Sequence, residues 1–129
     1  MMGSKVPSEF SNFKTTRVLI IGYGSIGRRH AGLFAQIGAP VTVVSRRADT
    51  LRAKGHTFCA SLDALVEPRF DYVIIASETS AHLQDLDAIL ACDWAIGIPI
   101  LVEKPLVGAL ADVNALGAKH KQALIYVGF

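Results

Sequence analysis

Short apolar runs alternate along this chain with longer stretches whose apolar positions recur every three or four residues. The runs at 17–21 (RVLII), 41–44 (VTVV), 57–59, 72–76 (YVIIA), 99–102 and 123–127 predict six strands. Between the first two, residues 25–37 predict a helix with Ile26, His30, Leu33, Phe34 and Ile37 on its apolar face, and Gly38 closing it. Ser61 is placed to cap a brief helix running to Glu67 and stopped by Pro68. A helix over 80–91 turns Leu83, Leu86, Ile89 and Leu90 toward the sheet, and another is expected over 110–121.

The strands lack the polar alternation of a half-exposed sheet, and helical crossovers join them. That combination means an α/β fold with a parallel sheet covered on both faces. Six such strands suit the doubly wound Rossmann order 3-2-1-4-5-6, in which ligands bind at the carboxyl ends of the strands.

Composition narrows the picture. The 129 residues make one ordinary domain, and 51% hydrophobic residues with a mean hydropathy of +0.39 exclude intrinsic disorder overall. Residues 1–15 read as a polar tail, expected to be disordered, ahead of a domain over 16–129. No apolar run reaches the roughly 18 residues of a membrane helix, and the N-terminus has no secretory apolar core. Cys59 and Cys92 fit no metal pattern and read as reduced thiols, so a cytoplasmic setting without membrane partners is expected. Residues 1–47 hold seven Lys and Arg against Glu9 alone, whereas the remainder holds six against ten carboxylates. The basic excess gathers beside one motif and forms no aromatic-interleaved stripe, so nucleic acid is not an expected partner.

That motif is Gly22-Tyr23-Gly24-Ser25-Ile26-Gly27, a G-x-G-x-x-G between a buried strand and a helix. Gly22 permits the tight turn, Gly24 lets a pyrophosphate approach the backbone, and Gly27 lets helix and strand pack closely. The first free N–H groups of the helix then face the phosphates. The tip of the second strand selects the dinucleotide. An NAD site, like most S-adenosylmethionine sites, places Asp or Glu there, but this chain has Ser45-Arg46-Arg47. A serine hydroxyl and guanidinium groups suit a 2′-phosphate, so NADP is the expected cofactor and NAD the second choice. Arg28 and Arg29 read as solvent-facing, and His30 as a packed core histidine.

Two more segments lie at the carboxyl edge: Ala76-Ser77-Glu78-Thr79-Ser80-Ala81-His82 after the fourth strand, and Glu103-Lys104-Pro105 after the fifth. A partly desolvated lysine at the latter place can bond a substrate hydroxyl and take part in proton transfer as hydride leaves the carbon.

GYGSIGRRHA, ASETSAH, EKP and the closing YVGF, in this order, resemble the N-terminal domain of the Gfo/Idh/MocA oxidoreductases over nearly all of residues 17–129. The resemblance implies hydride transfer between a nicotinamide and a sugar, cyclitol or related secondary alcohol. It implies Lys104 as the catalytic residue between nicotinamide and substrate. It also implies cofactor contacts from the glycine turn, from Ser77, Glu78 and Glu103, and from the loop that His82 supports. The family's usual Thr-Pro after the fourth strand is Ser77-Glu78 here, which puts exact transfer of that loop's contacts in doubt. The family also continues into a second, substrate-binding domain that supplies the usual oligomer interface. The expectation is therefore a cofactor-binding fragment, inactive alone, whose partners are the dinucleotide, that missing C-terminal domain and further copies in a homo-oligomer. A non-catalytic dinucleotide-sensing or protein-interaction module is the alternative, and a methyltransferase lacks the acid it would want at Ser45.

Overall fold

The computed structural model describes residues 15–50, 56–78, 81–103 and 124–127. The helix expected over 110–121, Lys104 and the side chain of Leu83 lie outside the described residues. Six parallel strands form one sheet: β1 (Val18–Ile21), β2 (Val41–Val44), β3 (His56–Cys59), β4 (Tyr72–Ile75), β5 (Pro99–Val102) and β6 (Leu124–Val127). Their spatial order is β3-β2-β1-β4-β5-β6, the doubly wound arrangement expected from the sequence. Helix α1 (Ser25–Gln36) connects β1 to β2, and α2 (His82–Leu90) lies between β4 and β5.

The continuous apolar runs are explained by burial on both sides. Leu19, Ile21, Val73, Ile75, Ile100 and Val102 pack on one face with Leu86 and Ile89 of α2. Val18, Ile20, Val41, Val43 and Ile74 pack on the other with Ala31 of α1 and the ring of Tyr23. Alternate residues of the central strands β1 and β4 therefore enter different cores, whereas polar residues (Thr42, His56 and Thr57) appear toward the β3 edge, where burial is incomplete.

Two local expectations are corrected. The brief helix to Glu67 is a single 3-10 turn, Leu62–Ala64, and Ser61 makes no side-chain cap bond. Leu65 already turns extended, and Glu67 adopts a left-handed φ of 47° ahead of Pro68, which ends any helical path. The buried meridian of α1 also differs from the expected stripe. Gly27 and Ala31 are its buried residues, Phe34 and Ile37 are half-buried, and Ile26 and Leu33 are 43% and 54% exposed. Small side chains let the helix axis approach the sheet, so the contact line follows Gly27 and Ala31 rather than the largest apolar groups. The helix does end as expected, with Gly38 at φ 83° donating its N–H to the Ala35 carbonyl.

These positions differ sharply in expected sensitivity. Ile74→Ala should cost about 2–5 kcal/mol of unfolding free energy as a cavity in a closed core. Leu33→Ala should stay within about 0.5 kcal/mol. Urea titration followed by the fluorescence of Trp94 measures both.

Candidate functional site

The carboxyl tips of four strands end level with one another. The Gly22 N–H bonds the Val44 carbonyl at 2.8 Å, Ala76 N–H bonds Ile21 O at 2.8 Å, and Glu103 N–H bonds Ile75 O at 3.0 Å. The ladders thus run one residue past the strands and bring the glycine turn, the Ser45 turn, the Ala76 loop and Glu103 to one edge. Connections from β1 and β4 leave in opposite directions, so this edge is the topological switch point.

Each glycine of the turn has its own physical requirement. Gly22 has φ 97°, and a Cβ there would stand 2.6 Å from the Ser77 backbone. A Cβ on Gly27 would run into the Gly22 carbonyl oxygen. Gly24 caps α1 in an extended conformation, and a Cβ there would meet nothing within 4 Å. Gly22 and Gly27 are therefore fixed by internal packing, whereas the space over Gly24 is open to a ligand. The first intrahelical bond is Arg28 N–H to Gly24 O at 2.9 Å. The N–H groups of Ser25, Ile26 and Gly27 thus precede the helical ladder, and no acidic side chain occupies the first turn. An anion is the natural complement of such an end.

The other sequence-predicted residues divide by what they touch. The Tyr23 ring is buried, edge-on to Phe58 at 5.2 Å and to His56 at 6.3 Å between centroids, so its backbone is what faces the turn. The Arg28 guanidinium lies 5.3 Å above that ring, while Arg29 is exposed as expected. At the β2 tip, Ser45 Oγ accepts the Arg47 N–H at 3.2 Å, which shapes the turn. Arg47 Nη2 reaches back and donates to the Tyr23 carbonyl at 2.8 Å. Arg46 is exposed and bonds to none of the described residues. The next acid along the chain, Asp49, is exposed.

Past β4, His82 is only 2% exposed, and its Nε2–H donates to the Ser77 carbonyl at 2.6 Å. That bond ties the start of α2 to the loop after β4. It also leaves two buried polar atoms of one loop, Ser77 Oγ and His82 Nδ1, without a partner among the described residues. Buried groups of this kind are normally satisfied by water or a bound molecule. Glu78 is exposed.

His30 was read as a core histidine, and the structure corrects that. Its Nε2 donates to Glu103 Oε1 at 2.8 Å, with the two side chains 21% and 18% exposed. Glu103 lies two residues beyond Leu101, which belongs to the α1-side core, so the carboxylate points to the same face as α1. Tyr72 senses it from below: burial first, then the charge of Glu103, then Tyr126, raise its phenol above the ordinary value. Among the described residues no group of His, Cys, Asp and Glu is arranged to hold a metal ion. Within them, no helix is long and apolar enough to cross a membrane.

Residues 16–129 match a family model, GFO_IDH_MocA, described as an oxidoreductase family with an NAD-binding Rossmann fold. Among solved structures the chain is similar to a probable dehydrogenase from Thermotoga maritima, at 26% identity and a TM-score of 0.66 over 87% of this chain and 35% of that one. It is similar to a myo-inositol dehydrogenase from Corynebacterium glutamicum, at 25% identity and a TM-score of 0.64 over 87% and 36%. A D-lactate dehydrogenase from Treponema pallidum shares the fold, at 22% identity and a TM-score of 0.56 over 89% and 35%. The chain therefore spans about a third of the length of these proteins. No curated protein matches it significantly.

The glycine geometry separates two otherwise identical substitutions. Gly27→Ala should lower stability by about 1–3 kcal/mol, because backbone must move to admit the methyl group. Gly24→Ala should cost less than about 1 kcal/mol. Thermal melting of the two variants decides the point. In a separate measurement, absorbance at 295 nm, taken as the difference between wild type and Tyr72→Phe, should show Tyr72 ionising above the ordinary phenol range. Glu103→Gln should move that transition down in pH without abolishing the part due to burial.

Proposed function

The chain belongs to the Gfo/Idh/MocA oxidoreductase family, and from that membership we propose that it is the NADP-binding domain of an enzyme acting on a secondary alcohol of a sugar or cyclitol. The observation that carries the choice of NADP is the tip of β2, where Ser45 stands in place of a carboxylate and Arg46 extends unpaired among the described residues. A carboxylate there would accept bonds from a free ribose 2′-hydroxyl and repel a phosphate. A guanidinium reverses that preference, at about 1.5–3 kcal/mol per charge-assisted bond, or about 10- to 100-fold in affinity.

The residues present fit the cofactor. The open space at Gly24 admits a pyrophosphate, and the leading N–H groups of α1 meet its charge. Ser77 Oγ and His82 Nδ1, at the loop beside it, are buried polar atoms without a partner among the described residues. When bound, the nicotinamide supplies the hydride acceptor or donor. Lys104, which follows Glu103 directly in the sequence, would hold the reacting oxygen and pass its proton. The sugar or cyclitol class draws support from the similarity to a protein named as a myo-inositol dehydrogenase. Closing the cleft against water requires a second wall, for which we propose a C-terminal substrate domain in the whole protein, assembled as a homo-oligomer.

Fluorescence titration with NADPH and NADH tests the reading, and NADPH should bind at least about tenfold tighter. Arg46→Ala should erase most of that difference by weakening NADPH alone. Arg47→Ala should weaken both ligands, because it also releases the Tyr23 carbonyl. Equal affinities in the wild-type protein would contradict NADP specificity.

A further inference from the structure

We propose that His30 is a positioning residue for the nicotinamide end of the site, acting through Glu103; this deepens the dinucleotide reading above and rests on it. The pair joins residues 73 positions apart, from α1 and from the tip of β5. Strand β4 lies between β5 and β1, the strand that leads into α1, so the hydrogen bond passes over the switch point. His30 stands three residues after Gly27, on the same side of the helix. The close seating that Gly27 permits is what brings the imidazole down to the strand tip.

Glu103 needs such a partner. The residues beneath it on this face are apolar or aromatic: Leu101, Ile74 and Tyr72. A carboxylate over that surface, only 18% exposed, would carry a desolvation penalty if left alone. His30 takes Oε1, and no described residue bonds to Oε2. One oxygen is thus fixed, while the other, unbonded among the described residues, can accept a hydrogen bond from a ligand hydroxyl. The Glu103 backbone is held as well, by its N–H on the Ile75 carbonyl. Main chain and side chain of the residue preceding Lys104 are therefore both tied to the sheet and to the helix whose N-terminus meets the phosphates.

A positioning role at one end of the ligand differs measurably from a general contribution to the fold. The probes are NADPH and adenosine 2′,5′-bisphosphate, which carries the ribose phosphate but no nicotinamide half. His30→Leu keeps the volume and removes the donor. It should weaken NADPH about tenfold, the scale of one lost hydrogen bond to a charged group, and leave the bisphosphate within about twofold. His30→Gln, which retains a donor, should recover most of the loss. Should the leucine variant not fold, His30→Ala carries the same comparison, and melting curves accompany each protein. Equal weakening of both ligands, or no change in either, would overturn the proposal. Wild-type protein that binds neither ligand would remove the dinucleotide reading and this proposal with it. Bisphosphate binding without tighter NADPH binding would sink this proposal alone.

Discussion

At its first turn helix α1 lies against the sheet through Gly27, a residue with no side chain to hold the two apart. Gly27 sits over the Gly22 carbonyl, and Gly22 in turn sits against the Ser77 backbone. Three backbone segments, from α1, from the end of β1 and from the loop after β4, therefore meet in direct contact. A methyl group at either glycine would have to push main chain aside, and main chain here is already committed to the ladder through Gly22 N–H and Ala76 N–H. That contact sets the height and tilt of the helix. The rest of the edge follows: the direction of its leading N–H groups, the reach of His30 to Glu103, and the seating of Tyr23 beside Phe58.

The sequence made the sheet legible because burial on both faces leaves a simple signature. Val41–Val44 and Pro99–Val102 appear where their apolar runs predicted, since residues of both parities meet a core and only the half-buried Thr42 interrupts the two runs. Helix α1 was legible in extent but not in orientation. Counting apolar residues favours Ile26 and Leu33, whereas the contact is made by Gly27 and Ala31, which hydropathy scarcely registers. Size, not hydrophobicity, decided which side of the helix faces the sheet.

The glycine turn was legible for a similar reason: its residue types answer to local geometry. The partners of its neighbours were not. Nothing in GRRH states that the histidine meets a glutamate 73 residues later, because that meeting depends on strand order and on the parity of Glu103 relative to Leu101. Arg47 presents the same difficulty. Its place beside Arg46 suggested equivalence, yet one guanidinium closes onto the Tyr23 carbonyl and the other stays unbound among the described residues. The Tyr23 carbonyl fixes one of these two cations in place without neutralising it, and the other bonds to no described residue.

The polar groups of this edge also explain how a sheet sealed on both faces can carry chemistry at all. Inside the cores, a carboxylate or imidazole would cost several kcal/mol, on the order of what a small domain can spare. At the strand tips the polar side chains find hydrogen-bond partners that offset that cost, whether fully buried like His82 or partly exposed like Glu103. His82 meets that cost by donating to the Ser77 carbonyl, and Glu103 by accepting from His30. Each bond satisfies one polar atom and orients another: neither His82 Nδ1 nor Glu103 Oε2 has a partner among the described residues. Pairing of this kind leaves at the edge polar atoms that no described residue uses. It arises here because the first helix is low enough on the sheet to reach the tips.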